Sequence, residues 1–179
     1  MKKIVPIVLC MYVNSAGIAD EHFKVATVIS DQTLAETAAA APADRVSDQP
    51  VVHVESAEGR LGVGIVHRPA IPPGGPIQAI QHHHQSEVYR VMAGAGILVT
   101  SSTMAESVPI DADGYVVRNL TGPSDTGLIE EIENSQPIEE GDIVIIPAGV
   151  AHGFSEISSP ITYMVVRVDP ERLVELKSP

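Results

Sequence analysis

Positions 81–96 read Gln-His-His-His-Gln-Ser-Glu-Val-Tyr-Arg-Val-Met-Ala-Gly-Ala-Gly, and no other stretch of the chain limits its fold so sharply. Three histidines and a glutamate fall within the six residues 82–87. Imidazoles and a carboxylate packed this closely suit a divalent transition metal. Val88, Tyr89 and Val91 follow, and Gly94-Ala95-Gly96 breaks the run, so a strand–turn–strand unit is expected to carry the ligands. Side chains alternate faces along a strand, which sends His82 and His84 one way and His83 the other. A second stretch, 141–152, answers the first: an apolar strand at 143–146, a Pro147-Ala148-Gly149 turn, then His152. Three imidazoles and one carboxylate would leave one or two positions open on an octahedral metal.

These two stretches resemble the motifs of the cupins. The first cupin motif is Gly, five residues, His-x-His, three or four residues, Glu, six residues, Gly. The second is Gly, five residues, Pro-x-Gly, two residues, His, three residues, Asn. Gly141, Pro147, Gly149 and His152 fit the second motif without a gap, Gly75 lies near the start of the first, and Glu87 and Gly94 keep their spacing. Two departures stand out. Only Gln85 and Ser86 separate His84 from Glu87, and Glu156 replaces the final Asn. A spacing of three residues would make Gln81 and His83 the first-motif pair. The register with His82, His84, Glu87 and His152 as metal ligands supplies four good donors where the other supplies three, and it is the one expected. The resemblance, which covers roughly 51–169, implies an all-β double-stranded β-helix, the jelly-roll cupin barrel. It implies a bound divalent transition metal (Fe, Mn, Ni, Cu or Zn). The activity it suggests is that of a metal-dependent enzyme, dioxygenase-like or an isomerase, on a small molecule. The alternative is a non-catalytic cupin that binds a small molecule or carbohydrate.

The chain outside the motifs divides simply. A length of 179 residues suits one domain with a substantial core. Residues 1–19 have the pattern of an export signal: Lys2 and Lys3, an apolar run at 4–13, then Gly17-Ile18-Ala19. That run is shorter than the roughly 20 residues a bilayer span requires. Cleavage after Ala19 would give a secreted or periplasmic protein without Cys10, the one cysteine. Residues 20–50 are expected as an N-terminal extension, with a short strand at 23–29, a helix at 31–41 and a polar linker at 43–49. The cupin domain spans 51–169 and a C-terminal tail spans 170–179, with a short helix at 171–177. Strands are expected at 51–55, 61–68, 77–84, 87–93, 96–100, 115–120, 143–146 and 161–168.

A formal charge of −12 argues against nucleic acid or an anionic membrane as a partner of the mature form. A small-molecule ligand or substrate is the expected partner, and a second copy of the chain is a further expectation. The inter-motif segment 101–136 is expected as an elaborated rim. His67 shares a face with Leu61, Val63 and Ile65 and reads as a hydrogen-bonded core or rim histidine. Tyr89 shares the Glu87 face; Gln78, Arg68 and Arg90 are cavity or rim candidates. The acidic run Glu130, Glu131, Glu133, Glu139 and Glu140 reads as a solvated face, and Asn119-Leu120-Thr121 is a glycosylation sequon.

Overall fold

A computed structural model describes residues 25–177. The expected export signal and the position of Phe23 lie outside the described residues. Among the described residues there are nine strands: β1 (Ser47–Ser56), β2 (Gly59–Arg68), β3 (Ile77–His82), β4 (Ser86–Ser101), β5 (Ala105–Pro109), β6 (Ser124–Ile129), β7 (Asn134–Glu139), β8 (Ile143–Ile146) and β9 (Ala151–Asp169). One helix, α1 (Asp31–Ala39), precedes them. No described helix is long and apolar enough to cross a membrane.

The architecture is an all-β jelly roll, and its spine is the antiparallel pair β4–β9. Ser86 opposes Val168 at one end of this pair and Ser101 opposes Ala151 at the other. The far edge of each spine strand changes partner midway. The start of β4 pairs with β8 and its end with β7. The start of β9 meets β3 and its end pairs with β2. The result is two sheets sharing two strands. One runs β1-β2-β9-β4-β8, the other β5-β6-β3-β9-β4-β7.

The crossing from sheet to sheet is made by register shifts between Val91 and Leu98. Bulges of this kind bend and twist a ribbon without ending it. Gly94 sits there at φ 84°, and a Cβ on it would lie 2.1 Å from the Pro160 carbonyl oxygen. The expected break at Gly94-Ala95-Gly96 is therefore a bulge within one continuous strand, because β9 keeps supplying hydrogen-bond partners across it. Alternation along the strands turns Val66, Tyr89, Val91, Phe154, Ile161, Tyr163 and Val165 into one buried cluster between the sheets.

Four local expectations are corrected. Residues 115–120 are not a strand; Val117–Thr121 is a single π-helical turn. The C-terminal segment forms no helix, since the Asp169 carboxylate accepts from the amides of Leu173 and Val174 and holds the chain in an irregular path. Val25–Ile29 is not a strand, and the polar stretch read as a linker enters β1 from Ser47. Helix α1 forms as expected, with Ser30 as its N-cap accepting from the Thr33 amide at 3.1 Å.

Candidate metal centre

Three strand ends converge on the barrel interior. His82 is the last residue of β3, Glu87 the second of β4 and His152 the second of β9. All three are buried, with Glu87 only 1% exposed. Glu87 Oε2 lies 3.4 Å from His82 Nε2 and 3.3 Å from His152 Nε2. The two imidazoles stand 5.2 Å apart between ring centroids.

Second partners on each ring decide what those nitrogens carry. Ser124 Oγ donates to the Gly122 carbonyl at 3.0 Å, so it accepts from His82 Nδ1–H at 2.9 Å. His152 Nδ1 faces the Val150 carbonyl at 3.0 Å and can only donate to it. In the neutral form, each imidazole thus carries its proton on Nδ1 and turns a bare Nε2 lone pair inward. Two lone pairs and an ionised carboxylate oxygen face one another, and a shared cation resolves that opposition. For bonds of about 2.1 Å, ligand atoms stand about 3.0–3.4 Å apart in octahedral or tetrahedral coordination. The donor set, its spacing and its fixed tautomers fit a divalent transition metal.

Glu87 is held by more than the histidines. Arg167, directly opposite it in the β4–β9 register, donates Nε–H to Glu87 Oε1 at 2.7 Å. The Tyr89 hydroxyl donates to Oε2, also at 2.7 Å. Arg167 also binds Asp48 of β1 through both terminal nitrogens, at 3.2 and 2.6 Å. Burial alone would raise the Glu87 carboxyl, but Arg167 holds it well below the ordinary carboxylate range. Burial, reinforced by Glu87, pushes the Tyr89 phenol well up and keeps its proton on. Burial also lowers His82, against the opposing pull of Glu87.

His84 does not join the centre. β3 ends at His82, and the chain turns through 83–85 before β4 begins. Gln85 goes inward instead, at 2% exposure, while His84 stays in solvent with its Nδ1 2.9 Å from Glu171. His83 also points outward, to Asp125 at 3.2 Å, and Gln81 bonds the Gly149 carbonyl, so the alternative register fails too. Four residues separate His82 from Glu87. Ile80, two positions before His82 on β3, lines the cavity and is paired with His152. The centre therefore has two histidines and one carboxylate.

Arg167 was missed from sequence, although its signal was present: it shares the buried alternation Ile161, Tyr163, Val165. Asp48 had no such signal within a polar stretch. Arg68 lines the cavity, whereas His67 does not; His67 bonds Thr162 at 3.0 Å through Nδ1.

No family model matches the chain, and no curated protein matches it. Among solved structures, BH2720 from Bacillus halodurans is similar over 82% of this chain and 89% of its own, at 15% identity and a TM-score of 0.46. A Cupin 2 conserved barrel domain protein from Salinispora arenicola is similar over 81% and 89%, at 15% identity and a TM-score of 0.41. The cupin domain of Cnp3 from Schizosaccharomyces pombe is similar over 74% and 66%, at 8% identity and a TM-score of 0.44.

Proposed function

We propose that the protein is an exported, metal-dependent enzyme of the cupin type acting on a small molecule, with His82, Glu87 and His152 as its metal ligands. The observation that carries this reading is the convergence of two imidazole Nε2 atoms, each ring engaged at Nδ1, on one oxygen of a buried carboxylate. Two histidines and one carboxylate with open positions are the donor set of non-haem iron oxygenases. A divalent transition metal held there supplies Lewis acidity and free positions for substrate oxygens. The chain's own groups do the rest. Ser124 and the Val150 carbonyl fix the imidazole tautomers, and Arg167 keeps Glu87 ionised. Tyr89, whose raised pKa keeps its proton on, orients the carboxylate by donating a hydrogen bond to Glu87 Oε2. Ile80 adds an apolar wall to the cavity.

A second reading has one observation in its favour. Arg167 already neutralises Glu87, as expected of a metal-free site that only binds its ligand. One preparation separates the two. Protein purified from its native host is sequenced from its N-terminus, analysed for metals, and screened for dioxygen consumption and turnover against small hydroxy and oxo acids. A chain beginning at Asp20 with about one transition metal and a turned-over substrate supports the proposal. Retained Met1 overturns the export claim, absence of metal overturns the centre, and metal without turnover favours the binding module.

A further inference from the structure

We infer that the cavity beside His82, Glu87 and His152 takes a small carboxylate anion seated on the guanidinium of Arg68. The inference deepens the metal-centre reading and rests on it for the ligand's second contact. Arg68 ends β2 and lines the same cavity as the three metal-centre residues. Its Nε donates to the Tyr163 hydroxyl at 3.1 Å, and its guanidinium lies 5.5 Å from the Phe154 ring centroid. These two contacts fix the plane of the fork and leave both terminal nitrogens free. Among the described residues no carboxylate lies within ion-pairing distance of Arg68, and neither terminal nitrogen is a buried orphan, so both reach solvent.

Arg167 shows the contrast. Its donors are taken by Glu87 and Asp48, the other two charged groups of the cavity, so neither carboxylate is available to Arg68. A planar pair of N–H donors, held in place and unpaired, matches the two oxygens of a carboxylate. Charge points the same way. Arg167, Asp48 and Glu87 together carry one negative charge, and a divalent metal on Glu87 would reverse it. With Arg68 added, the loaded cavity would carry two positive charges and no counter-ion. The cavity encloses about 60 Å³, room for only a few non-hydrogen atoms. An acid of formate or acetate size fits inside, and a longer one would extend past Arg68 towards solvent. One carboxylate end on Arg68 would leave the opposite end facing His82 and His152.

The test uses acetate as the anion and acetamide as its neutral counterpart. Each is titrated into chelator-treated and zinc-loaded protein and followed by NMR shifts, for wild type, Arg68→Met and Arg68→Lys. Acetate should bind and acetamide should not. Arg68→Met should weaken acetate roughly tenfold or more, the scale of a lost charge-assisted pair. Arg68→Lys should fall between the two, because it keeps the charge and loses the fork. Far-UV spectra and melting curves check each fold, and where Arg68→Met does not fold, a several-fold loss in Arg68→Lys carries the test. Arg68 variants that bind acetate within about twofold of wild type would overturn the inference, as would wild type that binds no acetate in either form. Acetate binding that depends on Arg68 in a protein that takes up no zinc would uphold this inference while the metal centre failed.

Discussion

A histidine two positions beyond another shares its face only while the strand lasts, and β3 stops at His82. Alternation is a statement about extended backbone, so it says nothing about a turn that takes Gln85 inward and leaves His84 outside. The consequence is measurable. His84→Ala should keep the full complement of metal and most of the stability, since its Glu171 contact is exposed and such pairs contribute less than about 1 kcal/mol. His82→Ala and His152→Ala should each lose stoichiometric metal, because either deletion leaves only two donors. Metal content of the three purified variants, normalised to protein, reads this directly. Loss of metal in His84→Ala to the level of the other two would mean that the centre extends into the 83–85 turn. His82, Glu87 and His152, all named from the sequence, are brought together by three strand ends, whereas His84 was added by carrying the alternation past the end of β3.

Strands whose side chains alternate between core and surface could be read from the sequence, and elements held by single side chains could not. The end of β9 shows the first case, with Ile161, Tyr163 and Val165 essentially inaccessible at every second position, whereas in β2 Gly64, Ile65 and Val66 are buried in succession. The C-terminal segment shows the second. Its composition permits a helix, but Asp169 captures two of the amides that would begin it, and His53 of β1 captures the far end. There the Lys177 amide donates to His53 Nδ1 at 2.9 Å, while the Lys177 carbonyl accepts from the His53 amide. The ring can accept only while Nδ1 is unprotonated. Burial, with Arg167 and Arg60 adding to it, lowers the His53 pKa from its ordinary 6.5. A depressed histidine pKa means that the contribution is fully present above 6.5 and is lost as pH falls through the folded value. Amide exchange at Lys177, corrected for intrinsic rate, should therefore accelerate as pH drops below about 6.5. His53→Phe should exchange fast at every pH. Protection at Lys177 that stays constant down to pH 5 would show that His53 does not fasten this segment.

One guanidinium ties both the barrel and its centre together. Arg167 on β9 reaches Glu87 on β4 and Asp48 on β1, so three strands of one sheet meet at a single buried cation. Removing one partner of a buried pair strands the other, which costs about 3–5 kcal/mol, more than the intact pair contributes. Arg167→Met should therefore destabilise the metal-free protein by roughly that amount, mostly through an uncompensated Glu87. A divalent ion bound by His82, Glu87 and His152 would supply the missing positive charge. The melting-temperature gain from zinc should then be larger in Arg167→Met than in wild type. By reciprocity the variant should also bind zinc more tightly, since the guanidinium no longer competes for the carboxylate. Asp48→Asn is the control: it removes the other partner of Arg167 but leaves Glu87 compensated, so its zinc gain should match wild type. Melting curves with chelator and with zinc on the three proteins decide the matter. Folding of Arg167→Met only in the presence of zinc would be the strongest form of the expected result. Equal zinc gains in wild type and Arg167→Met would mean that the ion and Arg167 do not share Glu87, and the centre would have to lie elsewhere.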